Sequence, residues 1–174
     1  HIELPMDVQA EVTGLPVPVP AERRATSGAV RPDPDAIDKA AARLLAAKRP
    51  VLLAGGGCLE AEAAAEVKKV AEYLDAAVVV TMMGKGVFPE DHPLDAEHTG
   101  SNGTLVGNHM TKNADVILAV GTRFAEQTSS SYLDGMSFSI PPTEIIHLDI
   151  DPTEIGKNYP TAVGAVCDAK AGLN

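Results

Sequence analysis

Short apolar runs place the strongest limit on how this chain can fold. They are rich in valine, leucine and isoleucine, and stretches with helical spacing or turn residues lie between them. Near-continuous apolarity over so few residues is typical of strands in a parallel sheet that is covered on both faces. We predict strands at 51–54, 77–81, 115–121 and 144–150, and a further strand at 161–166.

Helical spacing is clearest ahead of the first predicted strand. Asp33 can cap a helix and Pro34 can occupy its first position. We expect Pro50 to end this helix, because proline cannot continue it. The apolar residues between them recur at the spacing of one helix face: Ile37, Ala40, Ala41, Leu44 and Leu45.

The remaining segments complete a layered pattern. We predict helices at 60–74 and 103–113, and a short helix after Asp151, where Asp-Pro-Thr-Glu is close to a capping box. The polar, turn-rich segment 128–142 is interpreted as a surface excursion. The expected fold is a Rossmann-like three-layer α/β domain, with five to six parallel strands and helices on both faces.

The first thirty residues differ from the rest. Alternating prolines in GLPVPVP exclude a helix and favour extended backbone. We therefore predict that 1–30 is an extended connector and that 31–174 forms the α/β domain.

Charge and composition exclude several kinds of partner. The chain has 14 Lys+Arg against 24 Asp+Glu, a formal charge of −10. Nucleic acid and anionic membranes require concentrated positive charge, so we expect neither as a partner. The sequence has no long apolar span and no signal-peptide pattern, and we expect a cytoplasmic protein. Cys58 and Cys167 match no metal or redox spacing, and we predict buried free thiols.

The glycines of VLLAGGGCLE leave two interpretations open. Gly55 and Gly57 match the first pair of the dinucleotide fingerprint G-x-G-x-x-G, but Glu60 stands where its third glycine belongs. The fingerprint therefore fails. Backbone N–H groups in this turn could still meet an anion or a flat cofactor, or the turn could simply join a strand to a helix.

Several predicted strands end in small or polar residues, which would meet at one edge of a parallel sheet. At that edge Arg123 could bind a phosphate or form a surface salt bridge, and Asp149 could bind a ribose diol or end a helix. No nucleophile elbow, HExxH motif or histidine spacing indicates catalysis or metal binding. We interpret His92 as a loop residue and His147 as a satisfied core histidine.

Five segments in order give the chain a family resemblance: LPMDVQ, KRPVLLAGGG, TMMGKGVFPEDHPL, NADVILAVGTRF and IIHLDIDPTEIGKNYP. Together they resemble the central domain of thiamine diphosphate-dependent enzymes, closest to the large subunits of acetolactate (acetohydroxyacid) synthases. The resemblance implies that this α/β domain is excised from a larger three-domain enzyme, with 1–30 as an interdomain connector. It implies an N-terminal and a C-terminal domain that hold thiamine diphosphate and Mg²⁺ between them. It also implies a homodimer or homotetramer, and a central domain with no catalytic residue that binds FAD without redox chemistry, binds ADP, or binds nothing.

The family's flavin contacts carry over to eleven positions: Gly55, Gly56, Gly57, Thr81, Met82, Gly100, Gly121, Thr122, Arg123, Asp149 and Asp168. Other positions depart from the flavin-binding pattern. Gly14 replaces an arginine of the connector, Ser101-Asn102 replaces a Met-His pair, and Ala125 and Gln127 replace charged residues. Fewer cationic contacts weaken the case for a bound diphosphate, since charge-assisted hydrogen bonds are the strong ones.

The resemblance implies the central domain of a carboligase or decarboxylase that acts on 2-keto acids, a transferase or lyase that is inactive as this domain alone. The alternative is a standalone nucleotide-binding regulatory module. An independent NAD-dependent enzyme is disfavoured, because no acid/base or nucleophile pair stands out.

Overall fold

A computed structural model describes residues 3–12, 14 and 28–174, and the statements below concern these residues. The strands are β1 Pro50–Ala54, β2 Ala77–Val80, β3 Asp95–His98, β4 Val116–Val120, β5 Glu144–Asp149 and β6 Val163–Val166. The helices are α1 Met6–Gln9, α2 Pro34–Ala46, α3 Gly56–Glu60, α4 Ala64–Leu74, α5 Leu105–Asn113 and α6 Ala169–Leu173, with 3₁₀ segments at Met82–Gly84 and Ser130–Tyr132.

The six strands form one parallel sheet in the order β3-β2-β1-β4-β5-β6. The predicted Rossmann-like class is confirmed, and so are the five strands that apolar runs indicated. No apolar run indicated β3, which pairs with β2 through an irregular register. With two charged residues among its four, Asp95–His98 lacks the apolar signature of a buried strand.

The side chains of each strand alternate between two cores. On one face α2, α3, α4 and α6 pack against the sheet, with Leu52 and Ala54 of β1 pointing toward them. On the other face Val51 and Leu53 meet a cluster that includes Met110 of α5. Because both faces are covered, the strands carry apolar residues at successive positions.

The segment 128–142 is only in part the surface excursion that its polarity suggested: residues 131–134 are exposed, whereas 129–130 and 137–138 are buried. Phe138 is buried and meets Phe124 edge-on, with ring centroids 5.6 Å apart, and Tyr159 packs against both rings. Ser137 is also buried, and its hydroxyl donates to Asn108 at 2.8 Å. This segment therefore covers the sheet face that α5 leaves open, with aromatic rings in place of a second helix.

Several predicted helix boundaries were wrong. The helix capped by Asp33 ends at Ala46, and Pro50 instead begins β1, where its missing N–H is tolerated. The helix predicted at 60–74 is two helices, α3 and α4, separated by a turn in which Glu62 has a positive φ of 51°.

Near the C-terminal end the helix predicted after Asp151 is missing, and a helix that was not predicted forms after Asp168. Asp151 accepts from the N–H of Thr153 as a cap would, but turns follow and no helix forms there. The chain makes α6 instead, with Asp168 as its N-cap and its Oδ1 accepting from Ala171 N. A cap residue allows a helix to begin, but apolar contacts must then stabilise the helix. In α6 the buried residue Ala169 supplies such contacts.

The connector is described only in part. Met6–Gln9 form one helical turn inside the segment predicted to be extended. Of GLPVPVP, only Gly14 lies within the described residues, so the predicted extension of the prolines lies outside them. The end of the connector meets the domain where the N–H of Asp168 donates to the Val30 carbonyl at 2.9 Å.

The predicted free thiols are confirmed. Cys58 and Cys167 are both buried and unbridged, and burial raises the pKa of Cys58 to about 12 and that of Cys167 to about 11. Among the helices of the described residues, none is both long and apolar enough to cross a membrane.

His147 lies within β5 and is a core histidine, as predicted. Its side chain is almost fully buried, and Nε2 lies 2.8 Å from the Thr122 carbonyl, to which it can donate. The ring also meets Phe124 edge-on at 5.3 Å. Desolvation lowers the pKa of His147 below its ordinary value, although Thr122 and Asp149 act in the opposite direction. The ring is therefore neutral at neutral pH.

We expect the buried ring to make the fold less stable in mild acid. The unfolded chain takes up a proton at the ordinary histidine pKa of about 6.5, while folded His147 does not, so the free energy of unfolding falls as pH drops below that value. One proton contributes up to about 1.4 kcal/mol per pH unit. His147→Gln keeps a donor for Thr122 and cannot titrate, so urea unfolding between about pH 7 and pH 5 should show a shallower slope.

His109→Gln is the matched control, because His109 is an exposed residue. It should leave the slope unchanged. An identical slope in wild type and His147→Gln would contradict the lowered pKa of the buried ring.

Candidate functional site

The order of the strands places a crevice between β1 and β4. The chain runs from β1 outward to β2 and β3, then crosses to β4 and runs outward in the other direction. After β1 and after β4 the chain therefore continues in opposite directions from the carboxyl edge. Doubly wound sheets bind ligands at this position. Gly55, Gly56 and Gly57 lie in the first turn, and Gly121, Thr122 and Arg123 follow β4.

The two turns touch through their backbones. A Cβ atom built on Gly55 would lie 2.1 Å from the Gly121 carbonyl oxygen, and one built on Gly121 would lie 2.7 Å from the Cα of Gly57. Gly121 also has a φ of +57°, a left-handed conformation that favours glycine. Close packing of two strand ends is thus sufficient reason for glycine at these positions.

Three N–H groups near this contact, which could have bound an anion, already donate to backbone carbonyls. Gly55 N donates to the Val120 carbonyl at 2.9 Å and Gly57 N to the Gly121 carbonyl at 3.0 Å. Cys58 N, inside the first turn of α3, donates to the Gly55 carbonyl at 3.1 Å. This geometry favours the interpretation of the glycines as a tight turn between strand and helix.

Beside this contact the carboxyl edge opens into a cavity of about 770 Å³. Its size lies within the usual range for small-molecule sites. Eight of the eleven predicted contacts line it: Gly56, Gly57, Thr81, Gly121, Thr122, Arg123, Asp149 and Asp168.

Three predicted contacts lie elsewhere. Gly55 is buried under the turn of β4, and Met82 is half-exposed outside the cavity, whose wall is formed by Met83 instead. Gly100 packs against the backbone of Gln127, with a built Cβ 2.3 Å from its carbonyl oxygen.

Sequence reasoning missed much of the wall. Leu59 and Glu60 come from α3, and Ile150, Asp151 and Glu154 follow β5. Asp151 and Glu154 were predicted only as the start of a helix. Its position beside the cavity depends on turns that replace the predicted helix, and no local pattern indicates that outcome.

Asp149 is the most buried acid of the cavity. Its Oδ1 accepts from Asp151 N at 2.9 Å, so it stabilises a turn and does not end a helix. Its Oδ2 lies 3.9 Å from Nε2 of His147, beyond hydrogen-bond distance, and accepts no hydrogen bond within the described part of the chain. An acceptor is thus left free beside the cavity.

Arg123 carries the one guanidinium among the described residues that line the cavity. The residue is exposed, and within residues 3–12, 14 and 28–174 it forms no ion pair, so the proposed surface salt bridge is not present there. Nor do those residues contain a group of three His, Cys, Asp or Glu arranged to hold a metal ion.

The sheet order and this crevice define the class of fold: a doubly wound, Rossmann-like α/β domain. The family model described as "Thiamine pyrophosphate enzyme, central domain" matches residues 37–174. The chain belongs to this family.

Curated relatives carry the match into the connector. The chain is 38% identical over 173 residues to the probable acetolactate synthase large subunit of Methanocaldococcus jannaschii, covering 98% of this chain and 29% of that protein. It is 37% identical over 180 residues to the glyoxylate carboligase of Escherichia coli O157:H7, covering 99% of this chain and 28% of that protein. The chain thus spans less than a third of these relatives.

The fold has a solved counterpart. An X-ray structure from Mycobacterium smegmatis, described as a thiamin diphosphate-dependent enzyme, superposes with a TM-score of 0.69 at 27% identity. The match covers 86% of this chain and 28% of that one.

We expect Gly55→Ala to test the backbone contact between β1 and β4. Gly55 has an ordinary negative φ of −97°, so the substitution adds only a clash with the Gly121 carbonyl. Backbone atoms cannot move aside cheaply, and we expect a loss of about 3 kcal/mol or more, measured by urea unfolding.

Gly86→Ala is the control, because it tests backbone strain without a steric clash. Gly86 has a φ of +93° and no atom within 4 Å of a built Cβ, so alanine there adds strain without a clash. Its cost should be about 1–2 kcal/mol. A loss at Gly55→Ala no larger than this would contradict the packing role of the turn.

Proposed function

We propose that this chain is the central domain of a longer thiamine diphosphate-dependent enzyme, a carboligase or decarboxylase that acts on 2-keto acids. The observation that carries the proposal is identity of 37–38% across nearly the whole chain with relatives named as an acetolactate synthase large subunit and a glyoxylate carboligase. The substrate class and the reaction in this proposal come from the names of these relatives. The remaining parts of such an enzyme would decide which reaction it catalyses.

The domain itself supplies a scaffold. Around the cavity, Cys167 has a raised pKa and is buried, and neutral His147 is bonded to the Thr122 carbonyl, so neither is an activated nucleophile or base. Thiamine diphosphate, which the other domains would hold with Mg²⁺, would supply the nucleophilic chemistry at a substrate carbonyl. We propose that this chain orients those domains within a cytoplasmic homodimer or homotetramer.

We also propose that the cavity at the carboxyl edge binds a ligand in a non-redox role. Its position at the crossover between β1 and β4 supports this, and the resemblance suggests a nucleotide such as FAD or ADP. The same cavity is the observation that favours the second candidate, a standalone nucleotide-binding regulatory module.

The test is CO₂ release from pyruvate and from glyoxylate by the natural protein that contains this domain. With thiamine diphosphate and Mg²⁺ added, we expect turnover of at least one substrate, and removal of thiamine diphosphate should abolish it. The 174-residue chain alone should be inactive under the same conditions, because the described residues around the cavity offer no activated nucleophile or base.

Two results would contradict the proposal. Acetolactate formation by the 174-residue chain alone would place catalysis within this domain. A natural protein that binds no thiamine diphosphate and releases no CO₂ would favour the regulatory module instead.

A further inference from the structure

The cavity is acidic. Arg123 is the one cationic side chain of its described wall, against five carboxylates: Glu60, Asp149, Asp151, Glu154 and Asp168. Lys157 pairs with Glu154 at 2.9 Å, but within the described residues no lysine or arginine lies within 4.0 Å of the other four. A diphosphate would therefore enter a region of like charge, which costs free energy at short range.

The backbone offsets little of this charge. A diphosphate bound at a glycine turn needs free N–H groups, and those of Gly55, Gly57 and Cys58 already donate to carbonyls, which leaves that of Gly56 in this turn. The ring of His147 is neutral and its Nε2 is occupied by the Thr122 carbonyl. Within the described part of the chain, the cavity wall is thus a poor fit for the diphosphate of FAD or ADP.

One carboxylate oxygen of Asp149 is available to a ligand. The side chain of Asp149 is only 7% exposed, and its Oδ2 accepts no hydrogen bond from the described residues, although Asp149 lines the cavity. A carboxylate forms strong hydrogen bonds with O–H groups. A ligand that carries a diol supplies such donors without adding negative charge.

The rim of the cavity is apolar. Leu59, Met83 and Ile150 line it, and they are 40%, 76% and 56% exposed. A flat ring lying against them would remove apolar surface from water, and a methionine thioether packs well on an aromatic ring. The wall thus offers an apolar rim and a buried acceptor within one cavity.

We propose that this cavity binds an uncharged ligand with a flat ring and a diol, of nucleoside size, and discriminates against its diphosphate-bearing counterparts. The inference rests on the ligand-binding role of the proposed function and replaces FAD and ADP as its occupants. Asp149 binds the diol, the apolar rim holds the ring, and the surrounding carboxylates repel phosphate.

Two matched pairs of ligands test the inference. Adenosine and ADP share one ring, riboflavin and FAD share another, and within each pair the second member adds a diphosphate. We would titrate each into the natural protein by isothermal titration calorimetry at about 0.15 M salt. In at least one pair, the neutral member should bind tenfold or more tightly than its partner. Higher salt should narrow the difference, because it screens the repulsion.

Asp149→Asn removes one charge with little change of shape. It should weaken binding of the neutral ligand about tenfold and reduce its preference over the diphosphate. Glu60→Gln alters an exposed acid of the wall and leaves the buried groups in place. It should strengthen ADP or FAD binding severalfold while leaving the neutral ligand unchanged. Asp91→Asn, an exposed loop acid outside the cavity, should change neither.

The outcomes separate this inference from the proposed function. Equal or tighter binding of the diphosphate member in both pairs would overturn the inference and leave a nucleotide-binding domain. Binding of none of the four ligands would overturn both the inference and the ligand role of the cavity. In either case CO₂ release by the natural protein tests the enzyme class independently.

Discussion

The rest of this domain depends on the backbone contact between the turns that follow β1 and β4. Gly55 and Gly57 lie so close to Gly121 that no side chain fits between them. The contact fixes the two central strands at the point where the chain changes direction across the sheet, and so sets the position of α3 and of the residues after β4. The cavity beside it exists because the two turns diverge immediately after they touch.

Glycines at a crossover of this kind serve phosphate binding in many dinucleotide-binding proteins, and the difference here is one of hydrogen bonding. The N–H groups of Gly55 and Gly57 are used to join strand to strand. A glycine turn can hold two backbones together or hold an anion, and here the same donors cannot do both. The mostly acidic wall acts in the same direction, so the phosphate chemistry associated with the fold finds little support at this site.

Membership of the thiamine pyrophosphate enzyme family gives the domain a context without giving it a reaction. Burial shifts the pKa of its two thiols and of His147 toward the uncharged form, which is consistent with a role in packing. The exposed methionines and acids at the carboxyl edge are the chemically distinctive part of the surface. Binding there can be separated experimentally from carbon–carbon chemistry in the intact protein.

The sequence by itself determined the class of fold, because apolar runs and helix caps are local signals: Asp33 begins α2 as predicted, and the runs became β1, β2, β4, β5 and β6. Eight of the eleven predicted contacts also lie together at the carboxyl edge, because the ends of parallel strands must meet there. Tertiary structure alone decided the rest. The strand Asp95–His98, the burial of Phe138 and the turns after Asp151 depend on partners distant in sequence. Whether a glycine N–H is free likewise depends on a carbonyl from another strand, which no local pattern records.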